Sequence, residues 1–209
     1  MIENLRAHDL LRINAAGISA LSRIATFSSV PLKDFPFVVV RRIRQKEGLV
    51  PVGIRGRERH ERCASWINAL HILERIAPES IEPPTTLPSL PAFDSLLELK
   101  RRWRDMKLTW GPGGSVAFEL VSGCNVVHNK SDLDLVIRSA TPLPTDLLQA
   151  LVDVENQLPC AIDVQIETPH GSFAAREYMS ASLRCLLRTI HGPRLVVNPW
   201  LPPSTSEQS

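Results

Sequence analysis

Two carboxylates, Asp132 and Asp134, stand one residue apart in the run Lys130-Ser131-Asp132-Leu133-Asp134-Leu135-Val136-Ile137-Arg138. The run is otherwise apolar and β-branched, which predicts a strand. Residues i and i+2 of a strand face the same way, so Asp132 and Asp134 project together while Leu133, Leu135 and Ile137 pack on the other side. With Cα atoms about 6.5 Å apart and an effective dielectric of about 20, the two charges repel by roughly 2.5 kcal/mol. Solvent at a strand end tolerates that repulsion, and so does a divalent cation. Mg²⁺ takes one or two carboxylates together with waters and substrate phosphate oxygens, and an Asp-x-Asp edge supplies the protein's share of such a site. Taken alone, the triplet does not choose between solvent and metal.

Its surroundings add weight to the metal. Upstream, Trp110-Gly111-Pro112-Gly113-Gly114-Ser115 reads as a glycine-rich turn, where backbone can approach a phosphate and a serine hydroxyl can donate to it. Downstream, Ala161 to Glu167 alternates, with Asp163, Gln165 and Glu167 on one face and Ile162, Val164 and Ile166 on the other. If this second strand lies beside the first, Asp163 joins the Asp132/Asp134 pair.

A Gly-Ser turn, a Ser-Asp-x-Asp-Leu strand and a third carboxylate on a later strand resemble the active site of the DNA polymerase β-like nucleotidyltransferases. The likeness narrows through Trp110-Gly111-Pro112, Gly114-Ser115-Val116, Phe118-Glu119-Leu120, Ser131 to Leu135, Asp163-Val164-Gln165, Leu186-Leu187-Arg188-Thr189, Gly192 to Val196 and Pro199-Trp200. It continues through His8-Asp9-Leu10-Leu11, Val38 to Arg42 and Val50 to Gly56 with Arg59 and Arg62. Together these resemble the phosphoribosyl-dephospho-CoA transferases that serve malonate decarboxylase, also called its holo-acyl carrier protein synthases. The chain departs from that pattern at Gly113, Lys130 and Asn198, none of which is one of the three carboxylates.

The resemblance implies transfer of the prosthetic group from 2'-(5''-triphosphoribosyl)-3'-dephospho-CoA to a serine of the acyl carrier subunit, with pyrophosphate leaving. It implies Asp132 and Asp134 as Mg²⁺ ligands, with Mn²⁺ an alternative ion, and Asp163 as a further ligand or general base. It also implies Gly114 and Ser115 around the triphosphate, and Arg55, Arg59 and Arg62 as contacts for phosphate or CoA-like groups. A nucleotidyltransferase using ATP and another hydroxyl acceptor would employ the same three acids. A non-catalytic carrier-binding module would have no need of them.

Composition sets the frame. In 209 residues, 44% hydrophobic content suffices for a buried core, and no run reaches the ~20 apolar residues of a membrane span. The N-terminus lacks the order of a signal peptide, so the cytoplasm is expected. Cys63, Cys124, Cys160 and Cys185 are dispersed and form no C-x-x-C pair, so reduced core thiols are expected. The net charge of +2 is unevenly spread: residues 1–107 hold 18 Lys/Arg against 12 Asp/Glu, and residues 108–209 hold 6 against 10. A basic half facing an acidic one suits an anionic substrate held by the first and coordinated by the second. Arg41, Arg42, Arg44, Lys46, Arg55, Arg57, Arg59 and Arg62 crowd one segment without interleaved aromatics, which favours phosphate over nucleic acid.

The expected fold is α+β. A small basic α+β domain (1–80) precedes a Pro-rich linker (81–92), a nucleotidyltransferase-like mixed sheet flanked by helices (93–201) and a disordered tail (202–209). Within the first domain the spacing predicts helices over 6–13, 18–27 and 57–76. A hairpin over 37–54 turns at Gly48, with Pro51 marking an edge strand. In the second it predicts a helix over 93–107 with Leu96, Leu97 and Leu99 inward. Residues 116–121 alternate weakly as a strand, whereas the superfamily likeness favours a helix there. A helix over 145–157, another over 171–179 and a closing hairpin at Gly192-Pro193 complete the expectation.

Overall fold

Period-two alternation from Phe37 to Asn68 builds the first of two sheets. Residues 4–24, 31–44, 46–56, 61–180 and 184–203 are described by the computed structural model. The first sheet contains β1 (Leu10–Ile13), β2 (Phe37–Val40), β3 (Leu49–Arg55), β4 (Arg62–Asn68) and β5 (Ile72–Ile76), in the order β4-β3-β2-β1-β5. All its pairings are antiparallel. Helix α1 (Ala15–Ser22) covers one face, capped by Asn14, whose side chain accepts from Gly17 N at 2.9 Å. Leu11, Ile13, Leu21, Val38, Val52 and Ile67 fill the core beneath it.

Three expectations for this half are corrected. Of the helix expected over 57–76, the described residues 62–76 are not helical: Arg62–Asn68 pairs along its whole length with β3, and Leu70 and Leu73 are exposed. A continuous ladder of main-chain bonds overrides a loose helical period. Leu10–Ile13 is likewise a strand rather than the end of a helix. Pro51 lies on the interior strand β3, and its carbonyl accepts from Arg41 N just past the point where β2 ends. The missing N–H therefore faces a neighbour that has already stopped pairing. Part of the helix expected over 18–27 falls outside the described residues, as do Arg57, Arg59 and the tail from Ser204 on.

The second sheet comprises β6 (Thr109–Pro112), β7 (Leu133–Arg138), β8 (Ile162–Thr168), β9 (Gly171–Ala174), β10 (Cys185–Thr189) and β11 (Gly192–Val196), ordered β11-β10-β9-β8-β7-β6. Within it β7 and β8 run parallel, and the other pairings are antiparallel. Helices α2 (Pro91–Arg102), α3 (Gly114–Ser122), α4 (Thr145–Asp153) and α5 (Ala175–Ser180) flank it. Phe93, Leu96, Leu99, Leu135, Ile137, Leu148, Leu151 and Phe173 form the core. The mixed α+β class is as expected. The 116–121 segment is helical, and 171–174 is a strand that precedes a shorter helix. Leu97 turns outward at 43% exposure, because it sits one residue off the 93, 96, 99 stripe.

The glycine-rich stretch is not a turn. Thr109 to Pro112 is strand β6, and Gly113 caps α3 directly. The proline-rich run begins with a single 3-10 turn, Pro78–Ser80, seated on β6 so tightly that a Cβ on Gly111 would come within 1.8 Å of the Pro78 carbonyl oxygen. A third cluster joins the sheets, with Leu10 from β1 packed among Ile81, Ala117, Phe118 and Val126. Among the described residues no helix is long and apolar enough to cross a membrane.

Candidate active site

Parallel pairing of β7 with β8 sets Asp134 opposite Asp163 in register. A strand–helix–strand crossover through α4 makes that alignment possible, since parallel neighbours cannot be joined by a tight turn. Asp132 immediately precedes β7. Both other acids act on Asp134, which is raised to about 6 by burial first, then by the charges of Asp132 and Asp163, against weaker opposing influence from His8 and Arg62. The expectation that Asp163 lies beside the pair is met at the level of strand register.

Gly114 explains its own presence. Its φ of +53° lies in the left-handed region, and a Cβ there would meet Asp134 Oδ2 at 1.7 Å. Gly113 N donates to the Asp134 carbonyl at 2.7 Å, so the start of α3 is stitched to the carboxylate strand. Ser115 follows in the first turn and is buried. Gly113 makes no side-chain capping hydrogen bond to the first turn of α3.

The arginines arrive from the other sheet. Arg55 and Arg62 pair across β3 and β4 and border a cavity of about 470 Å³ with Gly114 and Asp134. Arg55 stacks over the Phe118 ring of α3, its guanidinium carbon 5.9 Å from the centroid. Arg59 lies outside the described residues. Asp163 faces a second cavity of about 770 Å³, shared with Asp134, His8, Gln165 and Arg188. Gln165 Nε2 donates to both Asp163 oxygens at 3.1 Å, and its own Oε1 accepts from Arg188 at 2.9 Å.

His8 entered the sequence analysis only within the His8-Asp9-Leu10-Leu11 likeness, with no role given to it. It adopts φ +70°, a conformation rare outside glycine, and is held there by His8 N donating to Val40 O and Val40 N donating to Asp9 O. Its Nε2 lies 3.3 Å from Glu167 Oε1, and Arg42 binds the same carboxylate oxygen. Burial would raise Glu167, yet the bond from His8 and the Arg42 guanidinium outweigh it and hold the carboxyl below its usual range. The next residue, Asp9, is fully buried between Arg75 (2.6 Å) and Arg138 (2.8 Å). Arg138 also reaches Glu79 at 2.9 Å. Buried charges are tolerated when paired in this way. Nothing local to His8 reveals its role, because its partner Glu167 lies on β8, far along the chain.

Among the described residues no three His, Cys, Asp or Glu side chains converge into a ready metal cage. The donor set nevertheless suits a hard divalent ion completed by water and substrate oxygens: three acids share one field, and the buried Asp134 carries the strain of that charge. Such a site needs few protein ligands and an open side, and the cavities at Asp134 provide the opening.

The comparisons agree across the chain. The sequence matches the family described as phosphoribosyl-dephospho-CoA transferase MdcG, its N-terminal domain over residues 6–78 and its C-terminal domain over residues 80–199. A Pseudomonas putida phosphoribosyl-dephospho-CoA transferase is 41% identical over 163 residues, 78% of this chain and 79% of that protein. One from Klebsiella pneumoniae strain 342 is 37% identical over 204 residues, covering 93% and 96%. One from Azotobacter vinelandii is 38% identical over 168 residues. No solved structure matches. The chain belongs to the phosphoribosyl-dephospho-CoA transferase family.

Proposed function

We propose that this protein transfers the phosphoribosyl-dephospho-CoA group from 2'-(5''-triphosphoribosyl)-3'-dephospho-CoA to a serine of the malonate decarboxylase acyl carrier subunit. The serine Oγ forms a bond to the α-phosphorus, the α–β anhydride breaks, and pyrophosphate leaves with the bonding pair. The chemistry is of nucleotidyltransferase type. The observation that carries it is the register of Asp134 against Asp163, beside a glycine whose missing side chain leaves room against the Asp134 carboxylate.

Asp132 and Asp134 would hold Mg²⁺ or Mn²⁺, which when bound would neutralise charge on the phosphate oxygens. Asp163 either completes that set or accepts the serine proton. Arg55 and Arg62 counter the triphosphate charge from the opposite wall, with Arg59 assigned to the same group on the family likeness. Gly114 and Ser115 admit the phosphates to the start of α3, where main-chain N–H groups favour anions.

Pyrophosphate release, followed with the donor, Mg²⁺ and the apo carrier subunit, tests the reading. One pyrophosphate per carrier modified is expected, and none with a carrier whose acceptor serine is alanine. Release from ATP with a different hydroxyl acceptor, and none from the triphosphoribosyl donor, would overturn the substrate assignment.

A further inference from the structure

Between the two sheets, at the Arg138 and Glu167 ends of β7 and β8, lies a cavity of about 750 Å³ that the reaction above does not use. Arg41, Arg42 and Arg44 border it from the end of β2, Arg138 from the end of β7 and Arg6 from the N-terminal segment. Three of these cations are committed: Arg138 to Asp9 and Glu79, Arg6 to Glu79, and Arg42 to Glu167. Arg41 and Arg44 are exposed and form no ion pair among the described residues. Two uncompensated guanidinium groups over a concave surface attract an anion, and their fork geometry matches phosphate oxygens.

We propose that this cavity is a second anion site, one that takes the 5'-diphosphate of the donor's dephospho-CoA arm, with Arg41 and Arg44 as its binding residues. The proposal rests on the function given above. In that donor the triphosphate and the 5'-diphosphate are separated by two ribose rings, so one phosphate site at Asp134 cannot hold both. Arg41 also borders the two cavities that meet at Asp134, so the three form one run along which a donor with two anionic ends can lie. Ile43, Pro169 and Ile190 give this cavity an apolar wall. Its volume is in the range for a ligand of nucleoside size. An apolar wall beside free arginines suits an adenosine diphosphate group better than a bare phosphate.

The test is calorimetric titration of the full-length protein with dephospho-CoA and, separately, with inorganic triphosphate. Arg44→Ala should weaken dephospho-CoA binding about tenfold, and Arg41→Ala with Arg44→Ala about a hundredfold, on the scale of charged hydrogen bonds. Triphosphate binding to Arg44→Ala should stay within about twofold, since Arg44 does not border the Asp134 cavities. Unchanged dephospho-CoA affinity in the double variant overturns the proposal, as does an equal loss of both probes in Arg44→Ala. So does an Arg44→Ala variant that binds dephospho-CoA normally but loses the carrier subunit, because the arginines would then face a protein. The function is read apart from this by carrier modification. If the wild type modifies its carrier while the variants bind dephospho-CoA unchanged, only the subsite falls. If the wild type binds dephospho-CoA through Arg44 yet modifies no carrier, only the function falls.

Discussion

Asp134 couples the site's chemistry to the protein's stability. Its carboxyl is held up to about 6, against an unperturbed 3.8, first by burial and then by Asp132 and Asp163. A carboxyl raised by folding binds its proton more tightly in the folded state, so ionising it destabilises the fold. That cost is absent below about pH 4, grows up to about pH 6, and above that amounts to about 3 kcal/mol. Asp134→Asn should therefore raise urea stability by up to that amount at pH 7.5 in the presence of a chelator, and leave it nearly unchanged at pH 4. An asparagine variant with the same shift at both pH values would contradict this cause. Asp134 and Asp163 were legible in sequence because each stands in an alternating strand, whereas Asp132, expected in the same strand as Asp134, stands just before β7. His8 was not legible, since its unusual backbone and its contact with Glu167 come from strands far along the chain.

At the scale of elements, alternation identified β7 and β8 and placed their acids, since period two is unambiguous over six or seven residues. It failed between Arg62 and Ile76. There a short strand, a 3-10 turn and another strand spread their apolar residues so that Trp66, Leu70 and Leu73 mimic a helical stripe. The glycines misled in a different way. Gly111 reads as a turn residue, yet it sits in β6 because the Pro78 turn lies on top of it. Gly111→Ala forces a methyl into main chain that cannot swing aside, and should cost about 3 kcal/mol of unfolding free energy. A denaturation midpoint equal to that of the wild type would show that the turn at 78–80 yields without resistance.

Across the whole molecule, acids of the N-terminal half meet an arginine of the C-terminal half in a line of ion pairs. Asp9 joins Arg75 of its own sheet to Arg138 of the other, 129 residues away in sequence, and Arg138 continues to Glu79. Removing one partner of a buried pair leaves the other uncompensated, so Arg138→Ala should destabilise the fold by about 3 kcal/mol. Equilibrium unfolding at pH 7 checks this, and a loss under about 1 kcal/mol would reduce the network to a surface one. Charge asymmetry did not announce this seam, since Asp9 and Glu79 belong to the basic half and Arg138 to the acidic one. It could not announce which arginines are consumed in joining them and which remain for a ligand, because that depends on tertiary partners.

The most direct test of the account is the intact mass of the apo acyl carrier subunit after incubation with this protein, Mg²⁺ and triphosphoribosyl-dephospho-CoA. The account predicts a gain of one phosphoribosyl-dephospho-CoA group with the wild type and none with a folded Asp134→Asn variant. An equal gain with that variant would contradict the role assigned to the carboxylates.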